Sequence, residues 1–122
     1  MSIAAWRKRT VTVPTGATAR SEVVPLKDGG ATRLKNLTFF NVDTAFTGNI
    51  TVYVAPTFTD GMLNSDASFI PLTSGGSNVT LTAGKAVLVD PGMGEALVLV
   101  ASGNESSARV FDLRGGARDV VK

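Results

Sequence analysis

Between Asn49 and Leu113 the chain alternates side chains with a period of two. Ile50, Val52 and Val54 are interleaved with Thr51, Tyr53 and Ala55, Val79 and Leu81 with Thr80 and Thr82, and Leu97 and Leu99 with Val98 and Val100. Only turn words separate these runs: Ser74-Gly75-Gly76, Ala83-Gly84-Lys85, Pro91-Gly92-Met93-Gly94 and Ser102-Gly103-Asn104. Alternation punctuated at such short intervals is the signature of an all-β sandwich or barrel.

Upstream, Arg7–Val13 reads as a strand with Val11 and Val13 on one face, ended by Pro14-Thr15-Gly16. Ser21–Leu26 is short and holds Pro25, which lacks an amide for the ladder, so it reads as an edge. Lys27-Asp28-Gly29-Gly30 reads as the close of a hairpin. Thr32–Val42 shifts phase near Lys35-Asn36, which predicts a β-bulge. Ser68–Leu72, Asn78–Thr82, Ala86–Val89, Ala96–Ser102 and Ala108–Leu113 bring the count to about nine strands. No sustained 3.6-residue stripe occurs, so at most one helical turn is expected, near Thr59–Asn64. Strands this close together pair antiparallel, and a single antiparallel sandwich or barrel of about eight or nine short strands, jelly-roll or Greek-key in type, follows. The expected organisation is an arm over residues 1–9, a sandwich over 10–113 and a tail over 114–122. Circular dichroism should show a β spectrum.

With 122 residues the chain has the length of one domain. It contains neither His nor Cys. That removes Ser-His-Asp and Cys-His catalysis, and with it the usual ligands of zinc, copper and non-haem iron. One Trp, one Tyr and six Phe are too few to build both a core and a sugar-stacking cleft around paired carboxylates. Asp60-Gly61 and Asn64-Ser65-Asp66 offer oxygen ligands but lack the spacing and bidentate Glu of a calcium loop, so they read as Asx turns. No Gly-X-Gly-X-X-Gly precedes a helix pattern, and Arg114-Gly115-Gly116 is a single copy. The expectation is a chain that is not an enzyme, with no cofactor and no metal. Four Asn-X-Ser/Thr triplets, starting at Asn36, Asn49, Asn78 and Asn104, fit the Thr content of strands.

Met1–Trp6 holds no apolar run of signal-peptide length and is followed by Arg7-Lys8-Arg9, so no export signal is expected. No stretch approaches the ~18 apolar residues of a membrane span.

The net charge of +2 conceals a pattern. Residues 1–35 carry seven cations against two carboxylates, residues 36–108 carry Lys85 alone against six, and residues 109–122 carry four against two. Basic ends around an acidic middle fit either a nucleic-acid footprint or unlike surfaces of neighbouring subunits built to meet. Stacking aromatics are not interleaved with the cations, which favours the second. Trp6, Arg7, Lys8 and Arg9 in the arm, with Arg114 and Arg118 in the tail, are the candidate partner-binding residues. Trp6 supplies an apolar anchor and the cations supply contacts to carboxylates.

The run Phe69-Ile70-Pro71-Leu72-Thr73-Ser74-Gly75-Gly76-Ser77-Asn78-Val79-Thr80-Leu81-Thr82 and its continuation through Val110-Phe111-Asp112-Leu113 resembles the small β-sandwich structural proteins of tailed bacteriophages, the capsid decoration or cement proteins. The resemblance spans roughly residues 10 to 113 and lies in composition and strand rhythm. It implies a homodimer or homotrimer on the outer capsid surface of a virion, bridging and stabilising neighbouring major capsid subunits. It carries no residue roles position by position. Two other readings stand beside it. A carbohydrate- or receptor-binding β-module would need exposed aromatics, with Tyr53, Trp6 and Phe58 as candidates, and a nucleic-acid-binding barrel would show a steep salt dependence.

Overall fold

The structure is a computed structural model that describes residues 3–28, 32–33 and 35–119, and the side chains of residues 8–26 and 36–115. Among these, nine strands carry the fold: β1 Ile3–Val13, β2 Val24–Pro25, β3 Lys35–Phe40, β4 Ile50–Ala55, β5 Ile70–Pro71, β6 Thr80–Leu81, β7 Ala86–Val89, β8 Ala96–Ala101 and β9 Arg109–Asp119. Two-residue ribbons join Gly16–Ala17 to Asn104–Glu105, Lys27–Asp28 to Thr32–Arg33, and Thr73–Ser74 to Ser77–Asn78. No helix occurs among the described residues.

The strands form two antiparallel sheets, ordered β1-β9-β3-β7 and β6-β4-β8-β2, with β5 beside β6 on the same flank of β4. The first strand therefore pairs with the last, β2 with β8, β3 with β7, and β4 with β5 and β6. That is a long hairpin rolled up on itself, a jelly roll, with open sheet edges rather than barrel closure.

Alternation explains the core. Val11, Val13, Leu37, Phe39, Phe111 and Leu113 point inward from one sheet and Ile50, Val52, Leu97, Leu99 and Ala101 from the other, all buried in one cluster. Phe39 meets Phe111 edge to face at 6.2 Å between ring centroids. Among the described residues Ser21 is the one buried hydroxyl: its backbone N–H donates to the Leu99 carbonyl and its Oγ accepts the Leu99 amide, each at 2.9 Å.

The outer face of the β4/β8 sheet is apolar too. Ala55, Ala96 and Val98 form a second buried cluster with Phe69, lined by Tyr53, Phe58 and Met62. The long loop between β4 and β5 lies over it, which is why β8 reads as a nearly continuous apolar run rather than a half-polar one. Arg20 Nη1 donates to the Asn64 carbonyl, Asn64 Nδ2 donates to the Ser21 carbonyl, and the Phe58 amide donates to Glu95 Oε1, so the loop is tied down at three points.

The bulge expected at Lys35-Asn36 is present. Arg114 faces Thr38 and Gly116 faces Lys35, so Asn36 and Leu37 oppose the single residue Gly115, and Asn36 takes φ +52°. Gly75 and Gly76, with φ of +62° and +86°, supply the two left-handed residues that a two-residue hairpin loop needs.

The connections between strands follow the expected places, while two strands run past their expected bounds. Lys27–Asp28 pairs antiparallel with Thr32–Arg33, as a hairpin closed there requires, and the turn at Gly29-Gly30 lies outside the described residues; upstream, Val24–Pro25 leaves that ribbon and joins the opposite sheet beside β8. Pro25 nevertheless sits on an edge, as a residue without an amide must. The segment 59–69 holds no helix, within the expectation of at most one turn, and makes three successive reverse turns closed by Met62 N to Thr59 O, Asp66 N to Leu63 O and Phe69 N to Asp66 O. Finally, β1 runs unbroken from Ile3 across the arm boundary set at Thr10, and β9 runs past Leu113 to Asp119, so the backbones of arm and tail pair with each other. The Gly115-Gly116-Ala117 segment hid this, because glycines carry no alternation to read.

Candidate interaction surface

The described side chains hold no group of three or more His, Cys, Asp or Glu placed to bind a metal ion. The polar chemistry of the molecule is instead divided between one buried clamp and one exposed sheet face.

The clamp joins the loop after β3 to the segment before β9. Glu105 is 1% exposed, and its carboxylate accepts the Thr47 amide at 3.0 Å, the Gly48 amide at 2.7 Å and Arg109 Nε at 2.6 Å. Arg109 also reaches Asp43 Oδ2 at 3.8 Å and lies over the Phe46 ring. Asn41 Nδ2 donates to the Val110 carbonyl and Asn41 Oδ1 accepts the Asp43 amide, both at 2.8 Å. Burial works to raise the Glu105 pKa, but the hydrogen bond from Arg109 and the two loop amides outweigh it and hold the carboxyl below its ordinary range. A carboxylate engaged by three protein donors is a structural device, not a general acid or base poised for chemistry.

The exposed surface is the outer face of the β1-β9-β3-β7 sheet. Strand register lays it out in rows: Lys8, Arg114, Thr38 and Leu88 across one, Thr10, Asp112, Phe40 and Ala86 across the next, then Thr12 and Val110. Phe40 is 44% exposed, Leu88 69% and Val110 50%, unusually large apolar groups for solvent-facing strand positions. Asn36, Thr38, Phe40, Asp112 and Arg114 line a shallow groove of about 370 Å³. Lys8 and Arg114 stand directly opposite each other, a repulsive cross-strand pair. Asp112 relieves it by accepting Arg114 Nε and Nη2, each at 2.9 Å. That bidentate pairing, with Lys8 nearby, keeps the Asp112 carboxyl below and the Arg114 guanidinium above their ordinary values.

The six residues singled out in the sequence fall on one ribbon of backbone. Lys8 pairs with Arg114, Arg7 with Gly115, Trp6 with Gly116, Arg9 with Leu113, and Arg118 with Ala4. Lys8 and Arg114 share the outer face, while Arg9 turns the other way and lies 3.5 Å from the Val23 carbonyl of the opposite sheet. The side chains of Trp6, Arg7 and Arg118 lie outside the described ones.

Tyr53 and Phe58 do not form an exposed platform, since both pack into the second apolar cluster and Arg20 covers the Tyr53 ring at 5.4 Å. Asp66 Oδ1 accepts the Ser68 amide at 2.9 Å, the Asx turn expected there. Sequence reading missed Phe40, Leu88 and Val110. Their signal was phase: Leu88 lies between the inward Val87 and Val89, and Phe40 follows the inward Phe39, so each is an apolar residue on the wrong parity for the core.

No protein-family model matches the chain, and no curated protein matches it. Among solved structures, the chain is similar to one from work describing Bacillus endospore appendages as a novel family of disulfide-linked pili. The TM-score is 0.53 at 10% identity, over 96% of this chain and 89% of that one. At that identity the likeness extends to the fold, an all-β sandwich, and the link by disulfides has no counterpart in a chain without Cys.

Proposed function

We propose that this chain is a non-enzymatic structural subunit of a large protein assembly, and specifically a decoration or cement protein that binds the outer shell of a tailed-phage capsid and bridges neighbouring major capsid subunits. The observation that carries the reading is the outer face of the β1-β9-β3-β7 sheet, where Phe40, Leu88 and Val110 stand exposed among Lys8, Arg114 and Asp112. An apolar patch with a charged rim is what a protein-binding surface requires. The sandwich beneath it is stiffened by the Glu105 clamp and the tied-down loop rather than opened into a cleft.

A second reading, a subunit that assembles with its own copies into a filament, is favoured by the fold likeness to the appendage protein. One experiment separates the two. The tagged chain is produced in its host during particle assembly, and the lysate is fractionated on a density gradient. A decoration protein appears in stoichiometric amounts in fractions that hold intact capsids and is released from them by salt. Filaments of the chain alone, free of capsid protein, would favour the second reading, and recovery only as a slow-sedimenting species would refute both.

A further inference from the structure

The two broad faces of the sandwich differ in sign. One is the outer face of the β1-β9-β3-β7 sheet, with Lys8 and Arg114 as the cations among its described side chains and Asp112 already bound to Arg114. The other is the outer side of the β4/β8 sheet, which lies beneath the 56–68 loop and its exposed Asp60 and Asp66, with its cation Arg20 half-buried and held by the Asn64 carbonyl and the Tyr53 ring. We infer that copies of this chain associate through these unlike faces, the basic sheet face of one copy seating on the acidic loop of the next.

Three observations converge on that occupant. Charge is complementary: the two carboxylates line a cavity of about 390 Å³ bordered by Thr57, Thr59, Met62 and Ser68, wide enough to admit the end of a Lys or Arg side chain. Apolar surface is matched as well, since Leu63 stands 70% exposed at the rim of that cavity, and Phe40 and Leu88 stand exposed beside Arg114 and Lys8. The charges also weigh against the simplest alternative. Among the described side chains, a two-fold pairing of the basic face with itself would bring Lys8 and Arg114 of both copies together, with the already engaged Asp112 residues to balance them. Because the complementary faces lie on opposite sides of one sandwich, the contact is heterologous: each copy that joins presents a fresh face, so the product is a ring or an open stack. The inference deepens the self-assembling reading and competes with the shell reading for one surface, since Lys8, Arg114, Phe40 and Leu88 seated on the next copy are covered from a shell. Capsid-bound chain in the gradient with a monomeric free chain would uphold the shell reading and overturn this one.

The test uses the full chain and two neutralised variants, Lys8→Ser with Arg114→Ser and Asp60→Asn with Asp66→Asn. All four positions are exposed, and Asn at 66 keeps an oxygen for the turn to Ser68, so the fold is retained. Sedimentation of the wild type should show a mass that rises with concentration and falls as salt is raised from about 0.05 M to about 0.5 M. Each variant alone should associate roughly tenfold more weakly. An equimolar mixture should give a one-to-one dimer that grows no further, because only one complementary pair of faces survives in it. A wild type that is monomeric at all concentrations, or a dimer that stops at two and persists in both variants, overturns the inference.

Discussion

Replacing Glu105 by Gln changes one oxygen for one NH2 at a site with no room for a second donor. The Glu105 side chain is fully buried and accepts from Thr47 N, Gly48 N and Arg109 Nε. A Gln amide has a single acceptor oxygen, so its NH2 must point at one of these donors and leave it unsatisfied, while Arg109, only 11% exposed, loses its charged partner. Breaking a buried pair from one side costs about 3 kcal/mol, toward the lower end of its range because Arg109 keeps Asp43 at 3.8 Å. For a chain of this size each kcal/mol lowers the melting temperature by about 4 °C, so a drop of about 12 °C is expected at neutral pH.

The pH dependence makes the test specific. Because the folded Glu105 pKa is depressed, its contribution is fully present above the unfolded value of about 4.3 and is lost as pH falls through the lower folded value. Thermal melts of the wild type and Glu105→Gln should therefore converge as pH falls from about 6 to about 2.5, since the wild-type carboxyl then loses the charge that Gln never had. A gap of less than about 3 °C at neutral pH would mean that the clamp contributes little, and a gap that stays constant down to low pH would mean that the variant acts through shape rather than charge.

Two further substitutions test the local geometry. Ser21→Ala leaves the buried Leu99 amide without its acceptor and should cost about 1–3 kcal/mol in chemical denaturation, with faster hydrogen exchange at Leu99; an unchanged exchange rate would contradict the bond. At the bulge, Asn36→Gly should be nearly neutral and Asn36→Val should cost about 1–2 kcal/mol, because a β-branched residue resists the left-handed φ of +52°, and equal stabilities would argue against that conformation.

The strands of the second half were legible because each has one face in a shared core: Ile50, Val52, Leu97 and Leu99 recur at period two and sit where that period places them. The bulge was legible for the same reason, as a break in phase between Leu34 and Leu37. What the pattern could not express was which sheet a strand joins. Val24 faces a core whether it pairs with β3 or with β8, and only the winding of the whole chain decides. Nor could it show that Val98 and Val100 are covered by the 56–68 loop, since a strand with both faces apolar looks the same whatever covers the second face.

The charge pattern gained most from the fold. In the sequence, Arg7-Lys8-Arg9 and Arg114-Arg118 are basic tracts about a hundred residues apart, and nothing local says that they meet. A jelly roll pairs its first strand with its last, so Lys8 comes directly opposite Arg114 and the backbones of the two tracts become one ribbon. Placing like charges across a strand pair is unfavourable, and Asp112 stands two residues from Arg114 on the same face with both its oxygens engaged by that guanidinium. Local folding would have been better served by a Thr at either position, such as Thr10 and Thr12 supply along the same strand. Cations kept in opposition across a strand pair add little to the stability of the sandwich, and for that reason Lys8 and Arg114 are the residues on which the proposed contacts with other subunits should be tested first.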